Sequence, residues 1–335
     1  MTISPKIPVP SIKSAAGSHD SEARWLQVEF TKPMRIAWDW NDLMQNALTA
    51  GKNRNLTIAG LVLSNNVELS ARRGEAVLRQ LGFDQIRSEY YLLSTKTRNE
   101  ISNPARTFGH KCIKKNGKEY HVICAVFKGT TTLPDTITDI KSVLDGFYKG
   151  GKHCAESLKE YMDSIRGARR DNTILFITGH SLGAATANVV GRLCRQYVRD
   201  KALHVYAFAS PNYETNGEWN DGKSYPNFHY FTNAEDVVPL VPHRLPPHYF
   251  SKIGVEHRFL YGSMEAEQKK KFLRAYGYFR NTTFEEDTDF LDLLGLSHRE
   301  TEGLGYKALK NHLCHTYMAF LLSEMTDREI DQYLL

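Results

Sequence analysis

Thr178-Gly179-His180-Ser181-Leu182-Gly183-Ala184-Ala185 is the stretch on which the reading of this chain turns. Ile174-Leu175-Phe176-Ile177 runs into it, and the small residues Ala184, Ala185 and Ala187 follow. An apolar run of strand length, a glycine-bracketed serine and a run of small residues spell strand, tight turn and helix. In that setting a G-x-S-x-G motif lifts its serine out of a strained turn. The flanking glycines let strand and helix approach without a Cβ in the way. The helix start also aims unpaired N–H groups and the positive end of its dipole at the serine. Ser181 is therefore a candidate nucleophile, and the backbone N–H of Leu182 a candidate oxyanion donor.

Working outward, the same alternation repeats. Asn116-Gly117 separates two strand-like runs, 108–115 and 118–127, and favours a type I′ hairpin, in which both central residues need a positive φ. The second arm, Val122 to Phe127, is continuously apolar, as in a strand covered on both faces. Lys128-Gly129-Thr130 ends it. Two amphipathic helices are expected next. One runs from Asp135 to Phe147; the other carries Ala155, Leu158, Met162 and Ile165. Beyond the serine, 182–197 reads as a helix, and Leu203 to Ala209 and Phe228 to Thr232 as strands. Upstream, Trp38 to Leu69 reads as mostly helical with a break near Gly51-Lys52-Asn53, and Gly74 to Leu81 as a short helix stopped by Gly82. Strands alternating with helices imply an α/β class with a mainly parallel central sheet and helices on both faces.

Composition bounds the rest. With 41% hydrophobic and 24% charged residues over 335 positions, the chain can bury a sizeable core in one unit, taken as residues 25–335. Residues 1–24 carry Pro5, Pro8, Pro10 and several serines without an apolar stretch, and are expected to form a disordered tail. No run is long enough for a membrane span, and the N-terminus is not a secretory signal. The expected location is cytoplasmic by default, with a specialised export machine as the alternative. A net charge of +5 is too small for a nucleic-acid footprint. The five cysteines are odd in number and show no metal-ligand spacing, so reduced, buried thiols are expected. The thirteen histidines form no HExxH set, and no cofactor or metal is expected.

A serine hydroxyl needs a base, and the base needs a carboxylate to hold its tautomer. Asp236, just after the strand 228–232, is the candidate acid, with Glu235 beside it as competitor. His312 and His315, at the start of the last apolar helix (317–325), are both candidates for the base. His180, inside the elbow, is expected to point away from the nucleophile.

The elbow resembles that of the class 3 lipases, the family of fungal triacylglycerol lipases and many bacterial relatives. Three further stretches resemble the family in the same order: Phe127-Lys128-Gly129-Thr130, Phe208-Ala209-Ser210-Pro211 and Asn233-Ala234-Glu235-Asp236-Val237-Val238-Pro239. Lys128 departs from the family's arginine, and Asn212-Tyr213 from its Arg-Val. The resemblance implies an α/β-hydrolase fold with Ser181, Asp236 and a histidine as the triad. It implies Thr130 as the second oxyanion donor. It favours His312 as base, because the family histidine is followed five residues later by tyrosine, here Tyr317. It also implies a lid within 131–149, for which an ordinary core helix is the alternative. The basic, aromatic stretch from Lys269 to Arg280 suits anionic headgroups or a solvated helix face.

The resulting expectation is a serine esterase or lipase acting on acylglycerols or glycerophospholipids, with a lipid or ester partner met at a membrane or micelle surface. No nucleic acid and no transmembrane anchor are expected. A thioesterase or peptidase on the same triad, and a catalytically silent fold used for binding, are the alternatives.

Overall fold

The computed structural model describes residues 24–90, 103–129, 140–213, 222–240, 251–280 and 310–335, with backbone alone at 49–50 and 140–147. The expected tail lies outside the described residues up to position 23, and Arg24 opens the first strand.

A sheet of seven strands organises the chain, in the order β3-β4-β5-β6-β7-β8-β9. β3 (Gln85–Glu89), β4 (Arg106–Lys115) and β5 (Lys118–Phe127) are antiparallel neighbours. From β5 onward the pairing is parallel, through β6 (Thr173–His180), β7 (Leu203–Phe208), β8 (Phe228–Asn233) and β9 (Val255–Phe259). Asn116 and Gly117 join β4 to β5 with φ of 52° and 72°, the two positive values that a type I′ turn needs. Two further strands, β1 (Arg24–Glu29) and β2 (Pro33–Trp38), form a separate antiparallel pair.

Each central strand divides its side chains between two cores, as the period of two requires. Val122, Cys124 and Val126 of β5 join one apolar cluster, and Ile123, Ala125 and Phe127 join the other. α5 (Ile140–Ser164) and α6 (Leu182–Cys194) cover the second face. The first face carries β2, α3 (Arg54–Leu69), α4 (Ala71–Leu81), α7 (Ala266–Arg280) and α8 (Cys314–Ser323). Short helices α1 (Trp40–Met44) and α2 (Ala47–Ala50) precede α3, and α9 (Asp327–Tyr333) closes the chain with a capping box at Thr326 and Glu329. The fold is a mainly parallel α/β sheet with helices on both faces.

Two local expectations are corrected. Trp38 closes a strand rather than opening a helix, and the helices begin at Trp40. The two amphipathic helices expected between 135 and 165 are one unbroken helix, α5, through Gly150-Gly151. The glycines mark a crossing: a Cβ on Gly151 would stand 2.3 Å from Val189 Cγ1 of α6. Residues 131–139 of the expected lid lie outside the described residues, and of 140–147 only the helical backbone is described. Among the described residues no helix is long and apolar enough to cross a membrane.

Candidate active site

β6 delivers the serine. The strand ends at His180, Ser181 takes φ 56° and ψ −127°, and α6 begins at Leu182. A positive φ is costly for a residue with a Cβ, so the surroundings must hold it. Ser181 N–H donates to Phe208 O of β7 at 2.9 Å, fixing the turn to the neighbouring strand. Gly183 brings the helix start onto β5, since a Cβ there would lie 2.1 Å from Phe127 O. The loop after β5 also comes near: a Cβ on Gly129 would lie 3.0 Å from His180 O and 3.4 Å from Ser181 Cβ. Thr130, the next residue, lies outside the described residues, and with it the expected second oxyanion donor. Leu182 is the first residue of α6, where backbone N–H groups have no acceptor within the helix. Ser181 is buried, and its Oγ has no hydrogen-bond partner among the described residues.

β8 delivers the acid. Asp236 sits three residues past the strand in a turn held by Asp236 N–H donating to Asn233 O at 3.1 Å. Its side chain is fully buried, and three hydrogen bonds compensate the lost water. Oδ2 accepts from His312 Nδ1–H at 2.8 Å and from the Tyr317 hydroxyl at 2.8 Å, and Oδ1 accepts from Val238 N–H at 3.0 Å. The Tyr317 hydroxyl itself accepts from Asn233 N–H at 3.0 Å. Burial first, and then the Asp236 carboxylate, raise the Tyr317 phenol well above its usual range, so it stays a donor. Asn233 also donates from Nδ2 to Asn311 O at 3.1 Å, tying the acid turn to the segment that carries the base.

His312 stands one residue before Leu313, the N-cap of α8. Donation from Nδ1–H to Asp236 leaves Nε2 with the lone pair of the neutral ring. Nε2 is buried and has no hydrogen-bond partner among the described residues. His315 lies elsewhere: its ring meets Tyr276 of α7 edge-on at 5.2 Å between centroids. Of the expected site residues, then, His312 and Asp236 are joined directly. They share the C-terminal edge of the sheet with Ser181 and Leu182.

His180 is the link between the two halves. Its ring lies 4.7 Å from that of His312, and its Nε2–H donates to His312 O at 2.7 Å. Its Nδ1 faces Glu68 Oε2 of α3 at 3.1 Å. Burial opposes charge on this ring, but Cys314 and then the Glu68 carboxylate outweigh it and hold its pKa well above the ordinary histidine value. Glu68, Asn233 and Cys314 were not singled out as site residues in the sequence. The hydrogen bond of Glu68 spans 112 positions, a separation at which no local pattern survives. Tyr317 did leave a signal, its spacing from His312.

Residues 116–245 match the family model described as Lipase (class 3). No curated protein is significantly similar in sequence. Among solved structures, the chain is similar to a triacylglycerol lipase from Penicillium expansum, at 18% identity over 51% of this chain and 67% of that one, with a TM-score of 0.35. It is also similar to a mutant form of MDLA from Penicillium cyclopium, at 16% identity over 65% and 78% of the two chains, with a TM-score of 0.37. A protein described as a fungal lipase matches at 15% identity over 66% and 81%, also with a TM-score of 0.37. The matched residues 116–245 hold β5, the serine elbow and Asp236, and so cover the part of the α/β sheet that carries the candidate nucleophile and acid.

Proposed function

We propose that the chain is a serine esterase of the lipase type, cleaving carboxylic esters of acylglycerols or glycerophospholipids through Ser181, His312 and Asp236. The observation that carries this reading is the buried 2.8 Å contact between His312 and Asp236, on the edge of the sheet that carries the strained serine.

In this mechanism His312 Nε2 takes the Ser181 hydroxyl proton as Oγ attacks the ester carbonyl. The carbonyl π electrons move onto oxygen, and the oxyanion meets the Leu182 N–H and, by the family resemblance, the Thr130 N–H. Collapse expels the alcohol, which receives the proton from His312, and leaves an acyl-serine. Water then repeats the cycle, giving its proton to Nε2 and releasing the fatty acid. Asp236 stays ionised throughout: it orients the ring and stabilises the imidazolium. Its own position is held by Tyr317 and the Val238 N–H.

A direct test is hydrolysis of a p-nitrophenyl ester series, with fluorophosphonate labelling of Ser181. His312→Ala should lower kcat/KM by about 10⁴, while His315→Ala should cost less than about tenfold. Full turnover in folded His312→Ala would remove His312 from the mechanism. Folded wild-type protein that takes no label would point to a binding role instead. Profiling membrane lipid extract against Ser181→Ala then names the ester class.

A further inference from the structure

Glu68, His180 and Cys314 converge behind the base from three separate elements: the last turn of α3, the end of β6 and the first turn of α8. One ligand-type atom from each, a carboxylate oxygen, a ring nitrogen and Sγ, lies within 4.8 Å of the other two. Glu68 Oε2 is 3.1 Å from His180 Nδ1 and 4.0 Å from Cys314 Sγ. The proposed triad uses none of these side chains.

We propose that this cluster is a binding site for a zinc-class divalent cation, Zn²⁺ or Cd²⁺. Four observations support it. First, thiolate, imidazole and carboxylate together form a donor set suited to zinc, and three such ligands leave a fourth position for water. Second, the orientation of the ring is already fixed. A backbone carbonyl can only accept, so His180 Nε2 must carry the proton it gives to His312 O, at 2.7 Å. Nδ1 is then the ring atom left to ligate: it faces Glu68 Oε2 at 3.1 Å, and the proton between them leaves when the metal binds. A metal-bound histidine that donates its other N–H to a carbonyl is the usual outer arrangement around such ions. Third, His180 and Cys314 are buried, while the Glu68 side chain is 24% exposed and offers a way in. Fourth, the spacing is close to what is needed. Tetrahedral zinc places N, O and S ligand atoms about 3.3–3.6 Å apart, so a pair as far apart as 4.8 Å would close by about 1.2–1.5 Å and the 3.1 Å His180–Glu68 pair would open slightly.

Binding displaces protons to solvent. The Cys314 thiol gives up one and the His180–Glu68 contact another, and the metal takes their place with no change of oxidation state. Occupancy also pins both flanks of the base. His180 holds the His312 carbonyl, and Cys314 follows His312 by two residues. The site therefore joins metal availability to the position of His312, and its existence does not depend on the hydrolytic reading.

The test uses the full chain carrying Cys112→Ser, which removes the exposed thiol. Cadmium is titrated while the thiolate-to-metal charge-transfer absorption is followed, and zinc is then added as competitor. One equivalent should develop the band, and zinc should abolish it. Adding Cys314→Ser should remove the band. Glu68→Gln should weaken cadmium binding about 10–100-fold, the usual effect of losing a ligand or its support. A band that survives Cys314→Ser, an affinity unchanged in Glu68→Gln, or no band at all would each overturn the proposal. If Cys314→Ser fails to fold by circular dichroism, the Glu68→Gln affinity decides the question.

Discussion

Two groups of histidines, one at the serine's edge of the sheet and one along the sheet, differ in what faces them. At the C-terminal edge of the sheet, His312 meets Asp236 and His180 meets Glu68. Along the sheet, His110 of β4 meets His121 of β5, and His229 of β8 meets His257 of β9, each at 3.0 Å and ring to ring. His204 of β7 meets the Leu43 carbonyl. Burial, with the partner histidine second, lowers His229 to about 3 and His110 to about 4. Burial lowers His204 and His257 to about 4, and it also lowers His121. His180, no less buried, moves the other way. Burial alone makes an imidazole inert to protons near neutrality. At His180, Cys314 and then the Glu68 carboxylate reverse that direction.

The sharpest way to break this comparison is to make the site resemble the sheet. Asp236→Asn keeps the shape but removes the anion and reverses the hydrogen bond that sets the tautomer. Turnover of a soluble ester should fall by about 10⁴, with the protein still folded. A loss below tenfold would mean that the carboxylate is not what separates the two groups. A gentler change is Tyr317→Phe, which leaves Asp236 with two hydrogen bonds instead of three. A hydrogen bond to a charged group contributes about 1.5–3 kcal/mol, so kcat should drop about 10–100-fold with KM little changed.

The histidines of the sheet make a prediction of their own, in stability. Their pKa values are depressed in the folded state, so the unfolded chain binds more protons between about pH 4 and the ordinary value near 6.5. Their contribution is complete above about pH 6.5 and is lost as pH falls through that window. Each such histidine contributes a slope of up to about 1.4 kcal/mol per pH unit. Urea midpoints at pH 7 and pH 5 should differ markedly, and equal midpoints would contradict the account. The smallest effect expected is from His204→Gln, which keeps a donor for the Leu43 carbonyl but removes one titration. It should lower the slope by that one share and leave the pH 7 midpoint nearly unchanged.

What could be read in the sequence was what is local. The elbow stands within one short run, and its strand, turn and helix follow from apolar residues, glycines and alanines in order. The Asn116-Gly117 hairpin is equally local, because the turn type demands those residues. The base was legible from the residues as a choice of two, and the family resemblance favours His312 through its spacing from Tyr317. His312 and His315 lie three residues apart, and it is the turn into α8 that directs one toward Asp236 and the other toward Tyr276. The join between the two helices expected at 135–147 and around 155–165 was not legible: α5 runs on through Gly151, which has no side chain where α6 passes closest. Glu68 closes no local motif: its role exists only because α3 lies across the end of β6.

The distribution of thiols has a practical consequence. Cys112 is exposed, while Cys124, Cys154, Cys194 and Cys314 are buried, and burial raises all four of these thiols. A bulky alkylating reagent therefore meets one quick reaction in the native protein and four that wait for the chain to open. Cys124 lies in the central strand β5, so its labelling rate should follow global unfolding. Cys314 begins the helix beside the base, and its rate would follow the opening of that corner. The five cysteines thus serve as built-in clocks, and the ratio of the Cys314 and Cys124 rates would tell how independently the site breathes from the sheet that carries it.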